Sequence, residues 1–234
     1  MPDTTQPVSE NRLLASLSGE EYERLAPHLE PVTLDLSQVL FRPEDRLRHV
    51  HFLTGSIVSL LTSLEDGSGM EVGLVGREGM VGISAFLGGS ETKVATVQAA
   101  GASLRLEADK LRAEFGRGGT LQNALLRYTH ALMTQISQSV VCNARHLVEG
   151  RLARWLLMYH DRLDRDDFEL THEFMSNMLG VRRAGVSEVA EKLQAMGFIR
   201  YQRGHFTVLD RKGLEQFACK CYPVVKEKFD NFLL

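Results

Sequence analysis

The chain has 234 residues, enough for one large or two ordinary domains, and its 44% of hydrophobic residues excludes global disorder. No run approaches the roughly 20 apolar residues of a membrane span, and residues 1–10 are polar without an apolar signal segment, so we expect a cytoplasmic protein. The net charge of −3 argues against wholesale polyanion binding but leaves room for a local basic face.

The first part of the chain predicts a helix followed by a strand-rich region. An amphipathic helix is expected over residues 11–29, with a second helix start at Ser18. Short strands with glycine-rich turns, including a hairpin turn at 66–69, then favour a β-barrel or β-roll. Residues 79–87 break this rhythm and predict a short helix. The predicted strands cover residues 32–36, 39–41, 49–53, 56–63, 70–75, 95–99 and 103–106.

A long helix is predicted over residues 121–141. Apolar residues recur along it at spacings of three and four, a pattern that suits coiled-coil-like pairing between two copies of the chain. We therefore expect a homodimer; a core helix packed on the roll is the alternative, and one helix can do both. The stripe consists of Leu121, Leu125, Tyr128, Leu132 and Ile136.

Another amphipathic helix is predicted over residues 146–163, and a charged loop at 164–167 follows it. Residues 171–191 then indicate two short helices broken at Gly180, where glycine suits the φ > 0 conformation of a tight turn. Arg182 and Arg183 open the second helix on its outward end. This is the layout of a helix-turn-helix whose second helix enters a DNA major groove. The alternative is an ordinary helical hairpin that has no role in DNA binding. The inward residues are Met175, Ser176, Met178, Leu179, Val186, Val189 and Leu193.

A small hairpin follows the two helices. Gly197 suits a helix end, and residues 198–201 and 206–209 are predicted strands joined by a turn at 202–205. Helix-turn-helix plus hairpin is a winged helix. Its tip carries Arg203 and His205, which suit contacts with phosphate, although a solvated hairpin tip would look the same.

The three cysteines, Cys142, Cys219 and Cys221, speak against a disulfide framework because their number is odd and the expected compartment is reducing. Metal or redox use of the C-x-C pair is weakly supported, since no second Cys/His pair with zinc spacing lies nearby. We interpret them as structural or incidental thiols and expect no metal site and no cofactor.

The order of roll, long helix, short helix and winged helix resembles the Crp/Fnr family of bacterial transcription regulators over nearly the whole chain. The most specific segments are residues 148–157, 179–187 and 76–82. The resemblance implies a homodimer bound to a two-fold symmetric double-stranded DNA operator, with RNA polymerase as a further partner. It also implies a small-molecule or redox signal at the roll, relayed through the long helix.

Carried onto this chain, the resemblance makes Arg183 the base-reading arginine, able to bond guanine O6 and N7 together. Arg182 and Ser187 are neighbours within reach of base or phosphate. Ala184 departs from the glutamate frequent in the family; it can touch a thymine methyl but cannot accept from cytosine. Gly185 costs up to about 1 kcal/mol of helix stability. The operator half-site therefore differs from the family's usual one.

The effector pocket implied by the resemblance lies over residues 82–97, at Gly82, Ile83, Ser84, Lys93 and Val94. Members that bind cyclic AMP hold its ribose with glutamate and its phosphate with arginine and serine. Here Ile83, Lys93 and Val94 stand at those positions. Isoleucine and valine cannot hydrogen-bond, and lysine lacks the two-pronged grip of arginine. We expect a signal other than cyclic AMP, or no ligand. Three cysteines also disfavour a four-cysteine iron–sulfur cluster, and no residue specifically indicates haem.

An enzyme is the alternative from another class. His49 and His51 alternate on a predicted strand, so both imidazoles face one way, as in the metal sites of cupin enzymes. No carboxylate follows at short spacing, and a winged helix has no use in such an enzyme. Two histidines on an edge strand are the simpler interpretation, and we expect neither a catalytic metal in the roll nor any catalytic residue.

The sequence therefore predicts an α+β protein, a DNA-binding regulator and not an enzyme. Its organisation is expected to be an N-terminal roll of the cyclic-nucleotide-binding type with preceding helices over 1–117, a dimerisation helix over 118–143 and a winged-helix DNA-binding domain over 144–234.

Overall fold

A computed structural model describes residues 10–63, 69–163 and 165–233. It contains both helices and antiparallel sheets, which confirms the predicted α+β class. The polar N-terminal segment before residue 10 and the predicted hairpin turn, apart from Gly69, lie outside the described residues. Within the described part of the chain, no helix is long and apolar enough to cross a membrane.

Ten helices and eleven strands are described. The helices are α1 (Arg12–Ala15), α2 (Gly19–Leu25), α3 (Ser84–Leu87), α4 (Ala108–Phe115), α5 (Gly119–Arg145), α6 (Val148–His160), α7 (His172–Leu179), α8 (Arg183–Ala195), α9 (Arg211–Phe217) and α10 (Cys221–Asn231), with a 3-10 turn at Ala26–His28. The strands are β1 (Glu30–Leu34), β2 (Val39–Phe41), β3 (His49–Leu53), β4 (Ile57–Ser63), β5 (Gly69–Val75), β6 (Met80–Val81), β7 (Val94–Ala99), β8 (Gly101–Glu107), β9 (Asp167–Glu169), β10 (Ile199–Gln202) and β11 (His205–Val208).

Three sheets organise these strands. The first two are four-stranded, with the orders β1-β8-β3-β6 and β2-β7-β4-β5, and the third is the three-stranded β10-β11-β9. In the first sheet the antiparallel register pairs His51 with Arg105 and Phe52 with Leu104. Antiparallel sheets of short strands are what the strand pattern from residue 31 to residue 106 predicted.

The chain forms two compact units that are interleaved along the sequence. The first comprises the chain up to Val58, Val75–Ala131 and the segment from Phe229; the second comprises Ser59–Leu74 and Leu132–Lys228. These units do not follow the predicted division into 1–117, 118–143 and 144–234, because Ser59–Leu74 groups with the second unit and the segment from Phe229 with the first. The threefold division stays a prediction.

The N-terminal helix start in the first unit depends on two capping side chains. Asn11 is fully buried; its Oδ1 accepts from the backbone N–H groups of Leu13 and Leu14, and its Nδ2 donates to the carbonyls of Leu53 and Gly79 at 2.8 and 2.7 Å. The expected second start at Ser18 is confirmed, since Ser18 forms a capping box at the head of α2. Asn11 thereby ties α1 to the roll.

Several elements were missed from the sequence, among them the helix α10. The predicted helix at 79–87 is the strand β6 followed by the short α3, and the helix α4 was not predicted. The charged loop at 164–167 leads into the strand β9, which pairs with β11. Short strands of two or three residues carry too few alternating positions to be recognised by periodicity.

The apolar stripe predicted to join two copies of α5 lies mostly inside the protomer. Leu121, Leu125, Tyr128 and Leu132 are at most 2% exposed, and the Tyr128 hydroxyl donates to the Met80 carbonyl at 2.8 Å. Ile136 is half-buried. In this structure the stripe therefore serves as the core face of α5, the alternative left open by the sequence, and is not free to meet a partner.

Residues that remain exposed on α5 define a different apolar face. Leu126, Met133 and Val140 are 46%, 60% and 64% exposed and follow one another at seven-residue intervals. A seven-residue spacing keeps side chains along one side of a helix. We call these three residues the outer face of α5.

A buried glutamate lies at the centre of the second unit. The Glu71 carboxylate accepts hydrogen bonds from the Ser59 hydroxyl and from Trp155 Nε1, the latter at 2.8 Å. Complete burial raises the pKa of Glu71 to about 7, and the two hydrogen bonds oppose this shift only in part. Glu71 is thus protonated in the folded chain at a pH where it would be ionised in the unfolded chain.

Replacing Glu71 with glutamine tests this pKa. The pKa of Glu71 is higher in the folded chain than in the unfolded chain. Its contribution to the free energy of unfolding is therefore fully present below the unfolded pKa of 4.5 and is lost as pH rises towards the folded pKa of about 7. The free energy of unfolding of the wild type, relative to Glu71→Gln, should therefore fall by about 3 kcal/mol between these limits. Urea denaturation of both proteins from pH 4 to pH 8 measures the difference. Parallel stability curves would show that Glu71 titrates normally.

Candidate DNA-binding site

The turn between α7 and α8 has the geometry of a helix-turn-helix. Thr171 caps α7 by accepting from the Phe174 N–H, and α7 ends at Gly180, whose φ of 61° and ψ of 42° are left-handed. The Val181 N–H returns to the Ser176 carbonyl at 3.0 Å, which closes a Schellman-type end. A side chain at position 180 would be strained at this φ, and its Cβ would also overlap the Met70 side chain. Gly180 is therefore required for the turn.

The inner faces of both helices are buried as predicted. Every predicted inward residue is at most 9% exposed, including the small Ser176, whose hydroxyl returns to the Glu173 carbonyl of its own helix. Burial of this face leaves the opposite face and the N-terminal end of α8 for a ligand. The buried set is Met175, Ser176, Met178, Leu179, Val186, Val189 and Leu193.

The N-terminal end of α8 presents cations without internal partners. Arg182, Arg183 and Ala184 are exposed. Neither guanidinium group forms a hydrogen bond or ion pair with any described residue. Arg182 stands at the N-cap and offers no side-chain acceptor to the helix, so the first N–H groups of α8 keep their positive potential. This end of α8 is suited to an anion.

Ser187, expected from the sequence to lie within reach of base or phosphate, already forms hydrogen bonds within the domain. Its hydroxyl is 2.8 Å from His172 Nδ1 and also donates to the Arg183 carbonyl at 3.2 Å. The His172 ring stacks on Tyr201, with centroids 4.2 Å apart, so α7, α8 and β10 meet here. Partial burial, and then the nearby Arg183, lower the pKa of His172, which favours its neutral form. His172 and Tyr201 were missed, since neither belongs to a periodic pattern.

The wing carries a second set of exposed cations. β10 and β11 pair from Ile199–Val208 to Gln202–His205, so the loop has two residues, Arg203 and Gly204, with φ values of 52° and 86°. Positive φ at both positions indicates a type I′ turn, and a non-glycine residue there is uncommon. Arg200, Arg203 and His205 are exposed, and with β9 they line a shallow concave surface.

Internal ion pairs neutralise part of the basic excess in this region. Lys192 pairs with Glu149 at 2.8 Å, and Arg211 pairs with Asp161 and Glu215 at 2.5 and 3.0 Å. Arg200 and Arg203, by contrast, have no such partner among the described residues. The cations left for an external anion are thus concentrated at the start of α8 and on the wing.

The region of the predicted effector pocket contains an acid that the sequence comparison overlooked. Glu91 is buried and accepts a hydrogen bond from the Ser84 hydroxyl at 2.5 Å, and burial raises its pKa. Lys93 donates to Thr92 at 3.1 Å and is close enough to Glu91 to interact with its charge. The polar groups at Ser84 and Lys93 are therefore already engaged within the protein.

The remaining pocket positions add no polar group. Gly82 has a φ of 102° at the head of α3, where Ile83 is the N-cap without a side-chain hydrogen bond. Ile83 and the first residue of β7, Val94, are half-buried. A cyclic phosphate bound here would therefore face the carboxyl group of Glu91 and the hydrocarbon side chains of Ile83 and Val94.

The two histidines of the cupin alternative lie beside a cation. In the register of β3 and β8, His49 is opposite Glu107 and His51 is opposite Arg105. Burial, and then Arg105, lower the pKa of His51 to about 4. The Arg105 guanidinium across the strand pair is itself ion-paired with Glu30 at 2.5 Å, and among the described residues His49 and His51 do not belong to a group of three metal-ligating side chains.

Residues 150–217 match the family model of the Crp-like helix-turn-helix domain, a range that begins in α6 and ends at the last residue of α9. No curated protein matches the chain significantly. The solved structure of FixK2 from Bradyrhizobium japonicum is similar with a TM-score of 0.71 at 14% identity, covering 82% of this chain and 98% of that one.

Two further solved structures are similar over most of their length. A Crp/Fnr-family transcriptional regulator from Thermus thermophilus has a TM-score of 0.63 at 20% identity, with 81% of this chain and 98% of that one covered. The c-di-GMP-responsive global regulator CLP from Xanthomonas campestris has a TM-score of 0.60 at 15% identity, with coverage of 82% and 99%.

These solved structures share the fold of this chain, a β-roll followed by a winged helix, and the family model places a helix-turn-helix domain in its C-terminal part. The chain carries a Crp-like helix-turn-helix domain and has the fold of the Crp/Fnr family. The resemblance predicted from the sequence is confirmed at this level.

Calorimetric titration with cyclic AMP and cyclic GMP tests the pocket. Because Ile83 and Val94 offer no hydrogen bond and Glu91 opposes a phosphate, we expect no saturable heat at micromolar concentrations of either nucleotide. Micromolar affinity accompanied by a matching gain in DNA affinity would contradict this interpretation of the pocket.

Proposed function

We propose that the protein is a homodimeric, sequence-specific transcription regulator that binds double-stranded DNA through α8 and the wing. The observation that carries the proposal is a set of exposed arginines without an ion-pair partner among the described residues, Arg182, Arg183, Arg200 and Arg203, presented by a Crp-like helix-turn-helix domain. A solvated arginine costs the fold little free energy, so its exposure alone indicates no ligand. The concentration of arginines at the start of α8 and on the wing, however, suits contacts with the phosphates and bases of DNA.

The roles follow from position. Arg183 is the first residue of α8, and its guanidinium group is free to bond guanine O6 and N7 in the major groove. Ala184 beside it can contact a thymine methyl. Arg203 and His205, on a separate strand turn, are placed to hold phosphate, which positions the protein without reading bases. Ser187, engaged by His172, supports the recognition helix.

The second copy is proposed to pack on the outer face of α5. Its three apolar residues are exposed in the protomer, whereas the opposite side of this 27-residue helix is buried. The seven-residue spacing of Leu126, Met133 and Val140 matches one seam of a two-stranded coiled coil. Pairing of two such helices would give the two-fold symmetry that a palindromic operator requires.

The signal is proposed to differ from cyclic AMP, or to be absent, because Ile83 and Val94 offer no hydrogen bond to a cyclic phosphate and the Ser84 hydroxyl is already engaged by Glu91. The protein would act in the cytoplasm, where the operator and RNA polymerase are its partners. The Crp/Fnr-type fold supports this setting.

Substitution on α5 distinguishes the two apolar faces. We expect Met133→Glu to convert the dimer to monomer, because two like charges would meet at the seam, while its folded structure is retained. Arg127→Glu, whose side chain lies about 100° around the helix from Leu126, is the matched control and should stay dimeric. Sedimentation equilibrium measures both. A Met133→Glu protein that remains dimeric would exclude the outer face as the interface.

Separate substitutions in α8 and the wing should divide base reading from phosphate contact. After selection of an operator from random DNA, Arg183→Ala should reduce the preference for operator over scrambled DNA by about 1 to 3 kcal/mol per half-site, and twice that for the dimer. Arg203→Asn places at the turn a residue that tolerates φ > 0. It should weaken binding to operator and scrambled DNA alike, and it should lower the slope of log affinity against log salt concentration by about 1 per lost contact.

Titrations of each variant over a salt series measure these effects, with the half-sites expected about one helical turn, roughly 34 Å, apart. Arg46→Ala, an exposed arginine of the roll, is the control and should bind like the wild type. If Arg183→Ala weakened operator and scrambled DNA equally, α8 would not read sequence through Arg183. A selection that enriches no sequence would overturn the proposed function itself.

A further inference from the structure

Four potential metal ligands that are far apart in the sequence converge in the second unit. Cys142 and His146 lie one turn apart near the end of α5, Cys219 lies between α9 and α10, and Cys221 begins α10. Their ligand atoms all lie within 4.8 Å of one another. The sulfur atoms of Cys142 and Cys219 are 3.3 Å apart, and Cys221 Sγ is 3.5 Å from His146 Nδ1.

We infer that Cys142, His146, Cys219 and Cys221 bind a single Zn²⁺ ion in a tetrahedral site that fastens the start of α10 to the end of α5. Zinc bonds of about 2.3 Å to sulfur and about 2.0 Å to nitrogen place tetrahedral ligands about 3.5–3.8 Å apart. The distances of 3.3 Å between Cys142 Sγ and Cys219 Sγ and of 3.5 Å between Cys221 Sγ and His146 Nδ1 are close to these values, and no two ligand atoms are more than 4.8 Å apart. A cluster of several iron atoms needs its cysteines spread more widely than around one ion.

The backbone around the cysteines is arranged for a close approach. The Cys219 N–H donates to the Gly150 carbonyl at 3.1 Å, and a Cβ added at Gly150 would lie 3.2 Å from both the backbone nitrogen and the Cβ of Cys219. The glycine in α6 thus lets the cysteine loop lie against that helix. The helical spacing i, i+4 then places Cys142 and His146 on one side of α5, facing the loop.

The charge around the cluster suits an anionic metal centre. Three thiolates, a neutral histidine and Zn²⁺ carry a net charge of −1. Arg154 lies close enough to interact electrostatically with Cys142, as does Arg151 with Cys142 and Cys219. Both arginines are buried, and their Nε–H groups have no acceptor among the described residues. Thiolates bound to the ion would compensate these buried cations.

One of these arginines connects the site to the helix-turn-helix. Arg151 Nη2 donates to the carbonyl of Leu179, the last residue of α7. A metal ion that holds Arg151 in place would therefore also hold the end of α7. The sequence-based interpretation of the cysteines as incidental thiols is replaced by this proposal, because His146 lies 73 residues from Cys219 and only the fold brings them together.

Metal binding by the untagged full-length chain tests the site. Protein kept reduced and stripped with a chelator should take up one Zn²⁺ per chain. Co²⁺ in its place should give the intense visible bands of tetrahedral coordination with thiolate charge transfer. Zinc should also raise the melting temperature of the stripped protein, because it binds the folded state. No DNA is needed, so the result is independent of the proposed function.

Single substitutions assign the ligands. Cys142→Ser and Cys221→Ser should each weaken Zn²⁺ binding by more than about 100-fold, the upper range for losing a group that merely supports a ligand. His146→Asn should change the Co²⁺ spectrum, whereas His28→Asn, an exposed histidine of the first unit, should change nothing. Circular dichroism of each stripped variant checks that it folds.

Several outcomes would overturn the proposal. One is a failure of the protein with three free thiols to take up one equivalent of Zn²⁺. The others are an octahedral Co²⁺ spectrum and an unchanged Zn²⁺ affinity in the cysteine variants. An iron–sulfur chromophore in freshly purified protein, or a Cys142–Cys219 disulfide that persists under reductant, would equally exclude a single zinc ion.

Discussion

Compensation of buried charge constrains how the second unit is assembled around α6. Arg151, Arg154, Arg162 and Glu71 are all less than 10% exposed. A buried arginine, or a buried carboxyl group whether ionised or protonated, costs several kcal/mol when it lacks hydrogen-bond partners, so each must find acceptors or donors from other segments. Glu71 does so at Trp155 of α6, and Arg162 at the Gln135 side chain of α5. Satisfying these charges fixes which segments lie against α6.

The same requirement distinguishes the roles of the arginines. Arg151 and Arg154 are buried and interact with carbonyl, hydroxyl and thiol groups inside the protein, whereas Arg183 and Arg203 are exposed and have no acceptor in the part of the chain that the structure describes. A guanidinium group with no partner in the protomer is available for an external anion. Burial, not residue type, therefore separates the arginines that support the helix-turn-helix from those proposed to contact DNA.

The long helix shows why an apolar stripe does not identify its own partner. Both sides of α5 carry apolar residues at helical spacing. The longer stripe, which includes Leu121, Leu125 and Tyr128, is buried in the core of the protomer. What remains outside is the sparser series at Leu126, Met133 and Val140. A periodic pattern reports that a face is buried against something, but only the packed structure reports whether that is the same chain.

The sequence by itself determined what depends on local chemistry. The helix-turn-helix followed from Gly180 and the spacing of inward residues, the wing from its alternating strands, and the capping of α2 from Ser18, because each is fixed within a few residues. The prediction that Ile83 and Val94 stand where cyclic-AMP-binding members have hydrogen-bonding side chains likewise rests on residue type alone.

The tertiary structure alone decided which distant residues meet. It brought Glu91 to Ser84, His172 to Ser187 and Tyr201, and Cys142 and His146 to Cys219 and Cys221. It also decided which face of α5 is free. These outcomes depend on how helices and sheets pack over separations of many residues, where steric fit and compensation of buried charge select one arrangement that no short-range periodicity encodes.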